Sequence, residues 1–307
     1  MLINPEKYIE AGNKFLNPNS FKEINTNDNF KNYKKLCSIL LHIKKLGEIN
    51  ELDYKEIYPH TYRTPTLYFL PKTHKQDFEN NLKYRPITSS YNAYWYNLSK
   101  FLAKELSSTL QYEACSNENF LKGFRKSKLS TDSIMFSLDI DNMYPSIPLG
   151  PVIEKAVEIL FKRATNKISK TNLEKLLEIC TSGVTFQFNN KYYKQLNGVA
   201  MGSPLAPILA NIYIKLIEEK TVCSKNFPYK FEYYYRYVDD IFVIANKSVN
   251  TNNVLEYFNS IDSNIKFTLE NENDNKLNFL DITVIRQESG FETRWYRKKS
   301  NTCRFTP

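Results

Sequence analysis

The four residues Tyr237-Val238-Asp239-Asp240 constrain this chain more than any others. They separate two runs of aromatic and β-branched residues, FEYYYRY and IFVIA, each of which reads as a strand. Two adjacent carboxylates between apolar strands are costly to bury, so they belong at a turn, at a surface or beside a cation. Successive side chains of a strand point to opposite faces, and only a hairpin turn aims both carboxylates at one place. Asp-Asp is also ordinary turn chemistry, so the pair alone assigns no function.

A third carboxylate gives the pair a joint reading. Asp139 closes an apolar strand expected over 133–140, SIMFSLDI. Laid beside the hairpin, that strand gathers carboxylates around a cation pair. Hard oxygen ligands suit Mg²⁺, which is usually held by one or two carboxylates together with substrate phosphates. Two such ions about 3.5–4 Å apart stabilise the attacking and leaving oxygens of an in-line phosphoryl transfer. Asp141 falls on the face of Asp139 but further along, a side ligand at best. Between the two carboxylate segments lies GVAMGSPLAPILAN, residues 198–211. Gly198 and Gly202 relax the backbone before a helix capped by Ser203, with Pro204 at its first position. Alone this reads as loop-to-helix packing; followed by the Asp-Asp hairpin it reads as a floor for template and incoming nucleotide.

The remaining pattern mixes helices and strands without regular alternation. Apolar spacing in Tyr33, Leu36, Ile39, Leu40, Ile43 and Leu46, stopped by Gly47, predicts a charged helical region over residues 1–60. Strands are expected in TLYFLPK and YRPITSS (65–90), and a helix over 95–113. Gly150-Pro151 is expected to open a helix to Ala164, Ser203-Pro204 one to Lys220, and two further strands are expected over 277–285 and 291–297. That order points to α+β with an antiparallel sheet.

Composition sets the bounds. The 307 residues suit one large domain or two tightly joined ones, and 20 Phe with 22 Tyr supply a large core, which excludes a disordered tail. Lys and Arg outnumber Asp and Glu by 42 to 33, a formal charge of +9 that favours polyanions through counterion release. The five Cys (Cys37, Cys115, Cys180, Cys223, Cys303) are scattered and odd in number with no Cys-x-x-Cys pair, which argues against a zinc knuckle and for a reducing compartment such as cytosol or nucleus; an intracellular setting, the nucleus first, is expected. No apolar run approaches membrane-spanning length, and MLINPEKYIEAGNKF lacks a signal-peptide core, so no membrane partner is expected.

Taken in order, Lys72 in FLPKTHK, Arg85 in YRPI, then SLDIDNMYPSIP, GVAMGSPLAPILAN, RYVDD, IKFTLE and LNFLDITV resemble the motifs of reverse transcriptases over roughly residues 65–305. PKTHK with YRPI, AMGSPLAP, the IKFTLE to LNFLDITV phrase and the ending WYRKKSNTCRF look most like the Penelope-like retroelement type. The resemblance implies a right-hand polymerase: a helical extension over 1–60, fingers over 61–132, a first part of the palm over 133–165, an insertion over 166–197, and palm to the start of a largely absent thumb over 198–307. No GIY-YIG endonuclease motif is found.

The implied activity is RNA-directed DNA synthesis, extending a primer 3′-OH with dNTPs on an RNA or DNA template. Asp139 and Asp239 would bridge two Mg²⁺ ions, with Mn²⁺ as a substitute, and Asp240 would support the site. Lys72 and Arg85 would grip the triphosphate, Arg by its fork and Lys as a point charge. Tyr144, five residues after Asp139, would collide with a ribose 2′-hydroxyl. Gln195, Gly202 and Pro204 would contact nucleotide and template, with Asn211 on the same helix. Lys266 would protonate the leaving pyrophosphate, with Lys276 as a nearby competitor, and Asp281 would be structural or part of a primer-grip turn. The alternating bases and aromatics of RWYRKKSNTCRF suit either a phosphate backbone or a charged edge strand. Two alternatives stand beside this reading. One is a non-catalytic nucleic-acid-binding protein on the same scaffold. The other is an RNA-dependent RNA polymerase, against which Tyr144 and the Val238 before the Asp pair speak.

Overall fold

The structure, a computed structural model, describes residues 4–71, 84–109, 116–127, 129–130, 132–163, 165–288 and 290–297. In chain order its elements are α1 (Pro5–Phe15), β1 (Phe21–Ile24), α2 (Asn29–Lys45), α3 (Glu51–Ile57), β2 (Thr66–Pro71), β3 (Tyr84–Ser89), α4 (Tyr96–Thr109) and α5 (Asn117–Lys126). There follow β4 (Ser133–Asp141), α6 (Met143–Ser146), α7 (Leu149–Phe161), α8 (Lys170–Thr181), β5 (Thr185–Phe188), β6 (Lys191–Gln195) and α9 (Ala206–Lys220). The chain continues through β7 (Phe231–Tyr237), β8 (Asp240–Asn246), α10 (Thr251–Ile261), β9 (Lys266–Asn271), β10 (Lys276–Phe279), β11 (Ile282–Gln287) and β12 (Gly290–Trp295). Their described residues sort into two compact units, one drawing on 4–71, 84–109 and 144–213, the other on 116–143 and 214–297.

The first unit is built on a five-stranded sheet ordered β1-β6-β5-β2-β3. Its pairings are antiparallel except for the parallel contact Thr66↔Gln187 between β2 and β5. Asn189 and Asn190 both take positive φ between β5 and β6, and this is the tight hairpin turn whose left-handed positions asparagine tolerates. Helix α1 lays Tyr8 and Phe15 on a cluster of Phe21, Leu67, Phe69, Phe186, Phe188 and Tyr193. The periodicity of α2 is realised: Leu36, Leu40 and Ile43 are fully buried, whereas Leu46, past the last turn, is exposed. Trp95 is fully buried in this unit.

The second unit holds a four-stranded sheet ordered β7-β8-β4-β9, antiparallel throughout, and a three-stranded sheet β10-β11-β12. Phe120 of α5 is the hub of its core, with ring contacts to Phe124, Tyr233, Tyr235, Phe242 and Phe279. The Tyr233 hydroxyl donates to the Phe120 carbonyl at 2.8 Å, which satisfies a phenol that burial would otherwise strand. Helix α10 contributes Phe258 against Phe267, and Asn259 clamps the backbone N–H and C=O of Phe267. Trp295, at the end of β12, is 75 % exposed.

Four local expectations are corrected. Phe21–Ile24 is a strand inside the region expected to be helical, because FKEI pairs with β6 and the pairing supplies what four residues of local pattern cannot. Helix α7 starts at Leu149 with Pro148 as its N-cap; Pro151 sits within the first turn, where N–H groups have no intrahelical acceptor to lose. Helix α9 starts at Ala206, and Ser203-Pro204 form the turn before it, the Ser203 hydroxyl accepting from Leu205 N at 3.3 Å. The strand expected over 277–285 is two strands joined at Leu280-Asp281, Leu280 having φ +55°. Among the described residues no helix is long and apolar enough to cross a membrane.

Candidate active site

The register of the second unit's sheet decides where the carboxylates lie. Asp139 pairs directly with Asp240 on β8 and with Thr268 on β9. Directly opposed residues of an antiparallel pair have Cα atoms about 4.5–5.5 Å apart and side chains on one face. Asp141, two residues on, shares that face opposite Lys266. Leu138, Ile140 and Phe267 point the other way and are buried, so the sheet presents Asp139, Asp141, Asp240, Lys266 and Thr268 together, with Asp139 and Lys266 exposed. The Thr268 hydroxyl donates to the Asp139 carbonyl at 3.3 Å.

Asp239 occupies the turn itself. Tyr237 pairs with Asp240, which leaves Val238-Asp239 as a two-residue hairpin loop. Val238 has φ +56° and Asp239 has no positive φ, the φ pattern of a type II′ turn whose first position glycine normally fills. A β-branched residue there is strained by about 1–3 kcal/mol. The turn is held from two sides. Ile140 N donates to the Asp239 carbonyl at 3.0 Å, tying the loop to the strand that carries Asp139. On the face opposite the carboxylates, Arg236 donates from Nη1 to the Val238 carbonyl at 3.2 Å. Its Nε and Nη2 fork onto Glu218 at 2.7 and 2.9 Å, and the Tyr234 hydroxyl donates to the same carboxylate at 2.8 Å. Burial pushes that hydroxyl well above its usual pKa, so it remains a donor.

Arg236, Glu218 and Tyr234 were not singled out by the sequence. Their signal is faint: Arg236 alternates with Tyr235 and Tyr237 as any solvent-facing strand residue would, and its partner lies 18 residues back.

No three His, Cys, Asp or Glu side chains among the described residues converge as an assembled metal cluster. Two opposed carboxylates with a third in the adjoining turn nonetheless fit Mg²⁺, whose remaining ligands are ordinarily substrate phosphate and water.

The first unit carries the other expected residues. An open groove of about 420 Å³ is lined by Tyr144, Gly202 and Pro204 together with Tyr96 and Lys100 of α4. Its backbone requires both motif glycines. Gly202 has φ +111°, and a Cβ there would meet the Thr88 carbonyl oxygen at 2.3 Å; Gly198 has φ +73°, and a Cβ would lie 2.4 Å from the Pro145 carbonyl oxygen. Two backbone bonds, Thr88 N to Met201 O at 2.7 Å and Val199 N to Tyr144 O at 2.9 Å, fasten this loop to β3 and to the short helix α6 that carries Tyr144. Arg85 is exposed on β3, paired with Leu70. Gln195 is buried, and its side-chain amide donates to Asn197 O at 2.9 Å, bracing the loop from below. Asn211 lies on α9. Asp281 sits in the β10–β11 turn and accepts from Asn117 at 3.0 Å, a structural bond, while Lys276 begins β10. Lys72 and the basic stretch after Arg297 lie outside the described residues.

The family model described as reverse transcriptase (RNA-dependent DNA polymerase) matches residues 71–286. Apo telomerase from Candida tropicalis superposes with a TM-score of 0.59 at 13 % identity over 98 % of this chain and 54 % of that one. Telomerase from Candida albicans, in complex with a fragment of telomeric RNA, gives 0.58 at 12 % over 94 % and 50 %. The Sicinivirus 3Dpol RNA-dependent RNA polymerase gives 0.50 at 14 % over 79 % and 56 %. The chain thus spans about half the length of these structures. The likeness is one of fold, the mixed α+β right-hand polymerase architecture with antiparallel sheets. No curated protein matches the sequence.

Proposed function

The chain belongs to the reverse transcriptase family, and on that premise we propose that it is an RNA-directed DNA polymerase of a retroelement, extending a primer 3′-OH with dNTPs. The observation that carries the reading is the register pairing of Asp139 with Asp240, with Asp239 in the adjoining turn. Asp139, Asp239 and Asp240 would hold two Mg²⁺ ions, for which Mn²⁺ could substitute. When bound, these supply charge neutralisation for the attacking and leaving oxygens.

The chain's own residues do the rest. Arg85, with Lys72, grips the triphosphate, and the groove floored by Gly202 and Pro204 seats the templating pair. The Tyr144 ring excludes a ribose 2′-hydroxyl. Lys266, opposite Asp141, donates a proton to the departing pyrophosphate. Gln195 acts through the loop it braces. An RNA template is supported by the family match, whose description is an RNA-dependent DNA polymerase. The Penelope-like subtype is supported by PKTHK, YRPI and AMGSPLAP, and a nuclear site of action suits an intracellular element.

Primer extension on an RNA template with Mg²⁺, comparing dNTPs with NTPs, tests this directly. Incorporation of dNTPs, abolished by Asp239→Asn, is the expected result. A preference for NTPs would replace the reading by an RNA-dependent RNA polymerase. Intact template binding without any incorporation would leave a binding scaffold.

A further inference from the structure

We propose that Arg236 is a positioning residue that sets the direction of the Asp239 carboxylate by fixing the peptide plane before it. The inference rests on the polymerase reading above and adds a residue that reading does not use. Asp239 is flanked by two peptide groups. The one after it is pinned by Ile140 N on its carbonyl, and the one before it by the Arg236 guanidinium on the Val238 carbonyl. With both planes fixed, the Cα–Cβ bond of Asp239 leaves the turn in one direction.

The need for a brace is written into Val238. Its φ of +56° suits glycine, so the turn has little intrinsic preference for the geometry that presents Asp239. The brace is itself held rigid. Arg236 and Glu218 have side-chain exposures of only 9 % and 14 %, their contact is bidentate, and the Tyr234 hydroxyl fills a further acceptor site on Glu218. The guanidinium spends Nε and Nη2 on Glu218 and still has Nη1 for the carbonyl. A lysine ammonium, a point charge on a flexible stem, can keep the ion pair but cannot hold both partners in that fixed geometry.

Arg236→Lys therefore separates the charge pair from the brace. The experiment measures three things on the full chain: melting temperature, the Mn²⁺ binding midpoint by electron paramagnetic resonance, and kcat and KM for dNTP in primer extension. The expected result for Arg236→Lys is a weakened Mn²⁺ midpoint and a kcat lowered by about 10- to 100-fold, with KM changed by less than about threefold. Adding Val238→Gly, which adopts the positive φ unaided, is expected to restore most of the loss. A folded Arg236→Lys with unchanged kcat and Mn²⁺ midpoint overturns the proposal, as does an equal loss in the Val238→Gly background, which would make the ion pair merely structural. If Arg236→Lys folds poorly, the double variant decides: recovery of folding and Mn²⁺ binding carries the proposal, and recovery of neither removes it. Should the wild-type chain incorporate no nucleotide, the polymerase reading fails on its own, and the Mn²⁺ midpoints still decide the role of Arg236.

Discussion

Val238 shows how much a single backbone angle can say about a site. Sequence alternation located Asp139, Asp239 and Asp240, because a strand end and a two-residue turn are local patterns. It could not show that the turn holds a β-branched residue at φ +56°, since that depends on Arg236 and Glu218 meeting across the fold. Replacing Val238 by glycine relieves about 1–3 kcal/mol of strain and adds about 0.5–1 kcal/mol of backbone entropy loss. Chemical denaturation is expected to find the Val238→Gly chain as stable as the wild type or more so. Tyr144 makes a separate prediction at this scale. Truncation to alanine opens the groove beside Gly202, and the preference for dNTPs over NTPs should fall by about 10- to 200-fold, read from the ratio of kcat/KM values. An unchanged ratio would assign sugar selection to another residue.

At the level of elements, long periodic or alternating segments were readable and short or interrupted ones were not. Helix α2 and strands β4, β7 and β8 follow from their own patterns. Strand β1 does not, because FKEI has no hydrophobic period and is a strand only in register with β6. The starts of α7 and α9 were misplaced because proline tolerates several first-turn positions and fixes none of them. The loop before α9 is set by close backbone approach, so Gly202→Ala would drive a Cβ against the Thr88 carbonyl at an unfavourable φ. We expect a destabilisation of more than about 1 kcal/mol, together with weaker nucleotide binding. Phe120 tests the other unit: five aromatic rings surround it at full burial, and Phe120→Ala should cost about 3–5 kcal/mol in denaturant unfolding.

Over the whole molecule, the formal charge of +9 acts on every template alike. The logarithm of affinity for a template–primer is expected to fall linearly with the logarithm of salt concentration, by about 0.7–0.9 per phosphate contacted. A flat dependence, measured by fluorescence anisotropy, would place binding in base contacts instead. The right-hand architecture was legible as an ordered series of motifs, and the length allowed two tightly joined domains, but which segments make up each compact unit was not legible, because each gathers them from distant parts of the chain. The two tryptophans turn that division into something visible. Trp95, sealed inside the first unit, is expected to emit as an indole in hydrocarbon, and Trp295, exposed at the end of β12 in the second, as an indole in water open to iodide. Unfolding of the first unit shifts the blue component to the red and leaves the quenchable one in place. The chain thus carries a two-colour optical gauge in which the melting of the first unit is seen against a background that the second hardly changes.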